Sequence, residues 1–242
     1  MRTSRIYLDH QLSTGSSISL PGETSHYLGQ VLRLRIGDRL LLFNARDGEF
    51  AAVISKIEKK DVEVTLESQS REPQPPSLKI HLAQGLSRGD LMDYCMQKAT
   101  ELGVSQITPL ITEYGEVKLK ADRVENKLRH WRKITVAASE QSGRLNVPRI
   151  NSPCQLQEWQ QGIRPGVNIM LDPSGKESLQ QGSSIPVSIN LLIGPEGGFS
   201  EKEIAWARAH DFSVVSLGSR VLRTETAPVA ALAILQHLYG DM

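Results

Sequence analysis

Short apolar runs and alternating apolar and polar residues fill the first 70 positions, with turn signals between them. The pattern predicts β-strands in SISL at 17–20, RLLLFNA at 39–45, AAVISKI at 51–57 and VEVTLES at 62–68. The pair Asp47 and Gly48 lies between two of these runs and predicts a hairpin, because glycine tolerates the positive φ of a tight turn. We expect a small β-barrel or sandwich here.

One helical pattern interrupts these strands, in ETSHYLGQVLRL at 23–34. Its spacing places Tyr27, Leu28, Val31 and Leu32 on one predicted face. We therefore expect these four side chains to share one environment.

Three prolines in REPQPPS, residues 71–77, predict a linker, because such a segment neither pairs in a sheet nor continues a helix. Beyond it, predicted strands alternate with predicted helices to the end of the chain. The strands are LKIHLAQGL, QITPLIT, NIMLD, SINLLIG and SVVSLG, and the helices lie in DLMDYCMQKATELG, ADRVENKLRHWRKITVAASEQ, EKEIAWARAH and ETAPVAALAILQHLY. This alternation predicts an α/β domain with a mostly parallel sheet covered by helices on both faces.

Composition narrows the classes of partner. The 242 residues include 28 Lys and Arg against 27 Asp and Glu, a net charge of +1, so any polyanion must be bound by a local patch. The N-terminus lacks the apolar core of a signal peptide, and no apolar stretch is long enough to span a bilayer, so we expect a cytoplasmic protein without a membrane partner. The two cysteines and six histidines show no metal-ligand spacing, so we expect no metal.

Two loops follow predicted strands with residues suited to a ligand. LLIGPEGGFS, residues 191–200, ends a strand in Gly194, Gly197 and Gly198, and Ser200 with Glu203 forms a possible capping box for the next helix. The loop matches neither the Walker A nor the G-x-G-x-x-G pattern, so neither nucleotide motif is supported. A glycine-rich turn that only ends the strand is the alternative interpretation.

The second loop, SRVLRTETAP at 219–228, follows the strand that ends at Gly218. It carries two arginines, a hydroxyl and a carboxylate. Because ligands of open parallel sheets gather at the carboxyl ends of strands, the two loops together favour one binding site. The alternative is that Thr224 or Thr226 caps the following helix and that the arginines are merely solvated.

These segments resemble the SPOUT class of RNA methyltransferases, and most closely the ribosomal small-subunit methyltransferase E (RsmE) family. Members of that family methylate N3 of a uridine in 16S rRNA, using S-adenosylmethionine. The resemblance rests on LLIGPEGGFS with LGSRVLRTETA, on AQGLSRGDLMDYCMQKATELGVSQITPL at 83–110, on AASEQSGRLNVPRI at 137–150 and on RIYL near the start. It therefore covers nearly the whole chain.

The resemblance implies more than the pattern does. It implies a PUA-like β-barrel RNA-binding domain in residues 1–72 and a SPOUT methyltransferase domain with a C-terminal trefoil knot in residues 73–242. It also implies a homodimer with each active site near the subunit interface. By position, the S-adenosylmethionine site would be formed by Leu171, Gly194, Glu196, Gly198, Leu217, Gly218, Val221, Leu222 and Thr224.

Methylation at uracil N3 requires loss of the N3 proton, and the resulting negative charge spreads onto O2 and O4. Arg223 and Arg220 have the charge and position to stabilise that anion. Glu225 or Glu196 is placed to accept the proton, and no motif selects between them.

Other cations are candidates for binding 16S rRNA within the small ribosomal subunit. They are Arg33, Arg35 and Arg39 in the first domain and Arg88, Lys98 and Arg144 in segments that match the family. Lys98 has an alternative, because Glu101 and Asp93 lie on its own predicted helix. For the others the alternative is an ordinary solvated charge.

Five aromatic residues are candidates for stacking on a flipped base: Tyr7, Tyr27, Tyr94, Tyr114 and Trp131. We assign Tyr94 and Trp131 to packing, since apolar neighbours surround both in helical patterns.

Two rival functions remain open from sequence. One is a noncatalytic RNA-binding ribosome assembly factor that has kept the fold, and the other is a SPOUT methyltransferase with a different RNA target.

Overall fold

The computed structural model describes residues 3–58, 61–160, 163, 165–179 and 185–242. Contacts between Cα atoms divide the chain into two compact units. The first comprises Met1–Pro75 and Ser139–Val147, and the second comprises Pro76–Ala138 and Pro148–Met242. We predicted one boundary between residues 72 and 73; the structure places the break after Pro75 and adds a second stretch of chain to the first unit.

The first unit is built on a five-stranded sheet. Its elements are β1 (Ser4–Tyr7), β2 (Ser17–Ser19), α1 (Gly22–His26), a π-helical turn (Tyr27–Val31), β3 (Arg39–Asn44), β4 (Gly48–Ile57) and β5 (Val62–Arg71). The strand order is β1-β3-β4-β5-β2, with β1 parallel to β3 and the other pairs antiparallel. All four predicted strands are confirmed. The predicted hairpin is also confirmed, because Asn44 pairs with Gly48, whose φ is +94°.

The predicted apolar face of residues 23–34 is only half right. Leu28 is fully buried and Leu32 packs against the core of this unit, whereas Tyr27 and Val31 are exposed. The physical reason is the π turn, in which the Leu32 N–H donates to the Tyr27 carbonyl five residues earlier. This wider turn rotates the following side chains away from the face that a 3.6-residue period predicts.

Arg5 explains why residues 139–147 belong to the first unit. Its Nε donates to Glu49 Oε2 at 2.6 Å, and one terminal nitrogen donates to the carbonyls of Ser139 and Glu140, both at 3.0 Å. The other terminal nitrogen donates to the Arg144 carbonyl at 3.1 Å. One largely buried guanidinium thus binds a buried carboxylate and the last carbonyls of a helix, where a cation is favoured.

The second unit contains an eight-stranded sheet with helices on both faces. Its elements are β6 (Lys79–Gly85), α2 (Gly89–Glu101), β7 (Gln106–Ile111), α3 (Ala121–Ser142, whose last residues belong to the first unit), β8 (Arg149–Ile150), β9 (Cys154–Gln155), α4 (Leu156–Gln160), β10 (Val167–Leu171), β11 (Glu177–Ser178), β12 (Ser188–Ile193), α5 (Glu201–Ala209), β13 (Ser213–Ser216) and α6 (Thr226–Tyr239). The strand order is β11-β13-β10-β12-β6-β7-β8, and β9 also pairs with β7. Every pairing among the described strands of this sheet is parallel, which confirms the predicted α/β class.

The central strand β12 shows why its sequence is continuously apolar. Ile189, Leu191 and Ile193 pack on one face with residues of α2, α3 and α6, while Leu192 packs on the other face with residues of α4 and α5. Both faces of the strand are buried, so alternation is lost.

Replacing Arg5 should destabilise the protein strongly. Arg5→Met leaves Glu49 buried without its cation, and removing one partner of a buried pair typically costs about 3–5 kcal/mol. The measurement is the free energy of unfolding in urea. Arg39→Met is the matched control, because its ion pair with Glu67 is exposed and should contribute at most about 1 kcal/mol. Equal losses in the two variants would contradict this assignment.

Candidate active site

A pocket of about 370 Å³ lies at the carboxyl ends of three neighbouring parallel strands, β12, β10 and β13. Its walls come from the loop after each strand, which is the position expected for ligands in open α/β sheets. Its volume lies within the range of small-molecule sites. The pocket is lined by Leu91, Leu171, Asp172, Pro173, Ile193, Gly194, Pro195, Glu196, Gly198, Phe199, Val215, Ser216, Leu217, Gly218, Arg220, Val221, Leu222, Arg223, Thr224, Glu225 and Ala227.

The structure brings the two sequence-predicted loops together in this pocket. All nine residues predicted for the cofactor line it: Leu171, Gly194, Glu196, Gly198, Leu217, Gly218, Val221, Leu222 and Thr224. The three residues predicted for catalysis, Arg220, Arg223 and Glu225, line it too.

Thr224 connects the walls of the pocket through its buried hydroxyl. Thr224 Oγ1 donates to the Gly194 carbonyl at 3.0 Å and accepts from Gln84 Nε2 at 3.2 Å. Ser87 Oγ lies 3.1 Å from the same oxygen, and Gln84 Nε2 also donates to the Gly194 carbonyl at 3.2 Å. The end of β6, the loop after β12 and the loop before α6 therefore share one hydrogen-bond network.

The structure contradicts one part of the alternative interpretation of the second loop, which is that a threonine caps α6. Thr224 does not cap α6, since the residue at the cap position is Glu225 and no side chain caps the first turn. Instead the Arg223 carbonyl accepts from the N–H groups of Thr226 and Ala227, at 2.9 and 3.0 Å. The loop is thus held at the start of the helix by its backbone, and the Thr224 hydroxyl is left to bind the neighbouring loop.

Two glycines leave the pocket open where any other residue would be strained. Gly198 and Gly218 have φ of +71° and +83°, in the left-handed region that glycine favours, and a Cβ at either position would meet no atom within 4 Å. At Gly85 the constraint is space, because a Cβ there would lie 2.4 Å from the Pro195 nitrogen. The glycine loop consequently packs directly on the end of β6.

The predicted capping box at the end of the glycine loop is confirmed. Ser200 Oγ accepts from the Glu203 N–H at 3.3 Å, and Glu203 Oε2 accepts from the Ser200 N–H at 2.9 Å. This box starts α5 and fixes the far end of the loop.

Charged groups line the rim of the pocket. Arg220 and Arg223 are exposed, and within the described part of the chain neither forms an ion pair, so both guanidinium groups are available to an anion. Glu225 is half-buried, and the exposed Glu196 accepts from the Arg88 N–H at 3.1 Å. The two candidate proton acceptors therefore differ, because within the described residues a backbone N–H donates to Glu196 and none donates to Glu225.

The cations predicted to bind RNA differ in their exposure and in their ion pairs. Arg33, Arg35 and Arg39 are exposed in the first unit, where Arg144 is half-buried. Arg88 is exposed and pairs with Glu116. Lys98 forms an ion pair with Glu101 at 2.9 Å, as in the alternative interpretation in which it pairs within its own helix.

The aromatic candidates separate by exposure. Trp131 is buried, so its assignment to packing is confirmed. Tyr94 is 45% exposed, so its assignment to packing is wrong, because its position on α2 faces away from the core. Tyr114 is 51% exposed and lies next to the glycine loop.

Several residues in the pocket or bonded to its lining escaped sequence analysis. Gln84 and Ser87 lie in a segment that we treated only as strand and family match, although a buried glutamine at the end of an apolar strand is itself a signal of a polar partner. Asp172 also lines the pocket, and its Oδ1 accepts from the Ser174 N–H at 2.8 Å. Cys95 Sγ donates to Gln84 Oε1 at 3.6 Å, and burial raises the pKa of this thiol to about 12, so it is no nucleophile at neutral pH.

Across the described residues no group of three or more His, Cys, Asp or Glu side chains is arranged to hold a metal ion. None of the described helices combines the length and apolar character needed to cross a bilayer.

Comparison with known proteins places this fold and pocket in a family. The RNA methyltransferase domain model matches residues 73–236, and the RNA methyltransferase PUA domain model matches residues 20–67. Ribosomal RNA small subunit methyltransferase E of Buchnera aphidicola (strain Sg) is 36% identical over 246 residues, covering 100% of this chain and 98% of the relative. The protein of the same name from Bacillus subtilis is 31% identical, covering 96% and 95%.

Solved structures agree with the sequence comparison. A methyltransferase from Legionella pneumophila, in complex with the cofactor S-adenosylmethionine, has a TM-score of 0.95 and 40% identity over the full length of both chains. Ribosomal RNA small subunit methyltransferase E from Neisseria gonorrhoeae, bound to S-adenosylmethionine, has a TM-score of 0.89 and 33% identity, again over both full chains. The chain belongs to the ribosomal RNA small subunit methyltransferase E family of RNA methyltransferases.

Proposed function

We propose that this protein transfers a methyl group from S-adenosylmethionine to N3 of a uridine in 16S rRNA of the small ribosomal subunit. The observation that supports the proposal most directly is that the glycine loop and the loop before α6 line one and the same pocket. Two relatives of the same fold, identical in a third or more of their residues, were crystallised with S-adenosylmethionine.

The residues of the pocket fit this cofactor. Apolar side chains of Leu171, Ile193, Leu217 and Leu222 offer a surface for adenine, and the loop backbones offer donors and acceptors for its edge. The carboxylate of Asp172 lies in the same lining, where it would favour a cationic sulfonium. When bound, the cofactor supplies an electrophilic methyl group.

The chain's own residues would handle the uracil. N3 of uracil becomes nucleophilic when its proton leaves, and the negative charge then spreads onto O2 and O4. Arg223 and Arg220 line the pocket, form no ion pair among the described residues, and would donate to those oxygens, which stabilises the anion. Glu225 or Glu196 would take the proton, and correct positioning of the base would contribute further to the rate.

The proposal also includes a homodimer, as the family resemblance implies. Support comes from α6, where Val229, Ala230, Ala233 and Ile234 are apolar and only half-buried within one chain. A second copy would cover them. The resemblance implies a trefoil knot as well, and the non-sequential neighbours β13, β10 and β12 require the long crossovers that such a knot uses.

The activity is tested by methyl transfer to unmodified small ribosomal subunits, followed by mass spectrometry of the RNA nucleosides. We expect 3-methyluridine. A different methylated nucleoside would identify another RNA target. Binding of S-adenosylmethionine without any methylation would mean that the substrate is wrong, and a failure to bind it at all would favour a noncatalytic assembly factor.

Arg223→Ala should reduce turnover far more than cofactor affinity. If Arg223 stabilises the uracil anion, its loss should lower kcat by about 10²–10³-fold, as for other donors to a developing anion, while the Kd for S-adenosylmethionine stays nearly constant. Single-turnover methylation and calorimetry measure the two quantities. Arg208→Ala, at an exposed position of α5, is the control. Equal losses in kcat and affinity would reassign Arg223 to the cofactor pocket.

Thr224→Val should weaken cofactor binding by loosening the pocket. The change keeps the shape of the side chain but removes the hydroxyl that joins Gln84, Ser87 and Gly194. Leaving such buried groups unsatisfied costs about 1–3 kcal/mol, so we expect roughly tenfold weaker binding of S-adenosylmethionine by calorimetry. Thr226→Val makes the same chemical change at an exposed site two residues later and should have little effect. An unchanged Kd for Thr224→Val would show that the network does not support the site.

A further inference from the structure

The turn after β7 is fixed in place beside the glycine loop. The Glu113 N–H donates to Glu203 Oε1 at 3.0 Å, so the turn is attached to the glutamate of the capping box that starts α5. The Gly115 N–H donates to the Thr112 carbonyl at 3.1 Å, and the turn is followed by Val117, which packs against the core. Its backbone is therefore held at both ends.

Tyr114 is the residue that this turn presents. A Cβ at Gly197 would lie 2.9 Å from Tyr114 Cβ and 2.9 Å from its carbonyl oxygen, so the turn packs tightly on the glycine loop. Gly197 stands between Glu196 and Gly198, which both line the pocket. Even so, Tyr114 is 51% exposed. A half-exposed aromatic side chain thus lies next to the glycine loop, on a turn whose backbone is held by hydrogen bonds.

Arg88 also contacts the glycine loop. Its N–H donates to Glu196, and its guanidinium pairs with Glu116, two residues after Tyr114. The side chains of this pair are 71% and 63% exposed, and exposed ion pairs contribute little stability. The guanidinium can exchange the carboxylate for a phosphate at small cost. Lys118 and Lys120, both exposed, continue the positive charge along the chain.

We propose that Tyr114 and Arg88 bind the nucleotide next to the target uridine, Tyr114 by stacking on its base and Arg88 by pairing with its phosphate. The role rests on the RNA methylation proposed above. A uridine that enters the pocket must leave its stack, which deprives the neighbouring base of a partner. An exposed aromatic ring beside a cation is what RNA-binding proteins use to replace such a partner. The pair would therefore help to select RNA in which the target base is extruded.

Substitutions at Tyr114 separate stacking from simple burial. Tyr114→Ala and Tyr114→Leu should raise KM for small ribosomal subunits by roughly tenfold or more, the range seen when a stacking residue is removed. Tyr114→Trp should restore KM to within about twofold, since a larger ring stacks at least as well. The Kd for S-adenosylmethionine and the mass in solution should stay unchanged in all three variants. Tyr94→Ala, which removes a tyrosine of similar exposure on α2, is the matched control and should change KM less than twofold.

A direct signal comes from the Tyr114→Trp protein. Its added indole should be quenched when unmodified small subunits are titrated in, beyond any change seen in the wild type, whose own tryptophans give the background. The proposal is overturned if Tyr114→Leu matches the wild type in KM, if indole quenching is absent while methylation proceeds, or if Tyr114→Ala changes the solution mass. Failure of the proposed function would appear differently, as a wild-type protein that makes no 3-methyluridine.

Discussion

The hydroxyl of Thr224 is the group on which the pocket depends. It is buried, donates to the Gly194 carbonyl, accepts from Gln84 Nε2 and lies within hydrogen-bond distance of Ser87 Oγ. Those partners come from the end of β6, the turn that follows it and the glycine loop. Parallel strands bring their carboxyl ends to one edge of a sheet but leave the loops free to diverge. The Thr224 hydroxyl, together with Gln84, joins these loops through hydrogen bonds.

Four glycines also shape the site, through close packing or through open space. Gly85 allows Pro195 to approach closely, and Gly197 allows the turn with Tyr114 to do so. Gly198 and Gly218 differ from these two, because both have a left-handed φ and a Cβ at either position would meet no atom within 4 Å. Glycine therefore has two roles at this edge of the sheet. Gly85 and Gly197 allow segments to pack closely, and Gly198 and Gly218 leave space that a ligand can fill.

The sequence was informative wherever one physical rule governed a segment. Continuous apolar runs such as SINLLIG predicted buried parallel strands, and the spacing of Ser200 and Glu203 predicted a capping box with both of its hydrogen bonds. Prediction failed at a local irregularity of one helix and at a residue whose partners lie far along the chain. Nothing local in ETSHYLGQVLRL indicates a π turn, so Tyr27 and Val31 were placed on the wrong face. Gln84 looked like part of a strand because Gly194 and Thr224, its partners, lie 110 and 140 positions away. The two loops were inferred from strand ends that carry glycine together with charge, whereas the individual cofactor residues, Leu171 among them, came from the family resemblance.

Arg5 has a consequence for how the chain can be divided. The first unit needs residues 139–147, which reach it at the end of a helix that begins in the other unit. Cutting the chain in the proline-rich segment would therefore not give two independent modules. The N-terminal fragment would keep the Arg5 guanidinium, and the C-terminal fragment would keep the helix end to which it donates. Transferring this N-terminal unit to another protein would therefore require residues 139–147, or an equivalent helix end, to be transferred with it.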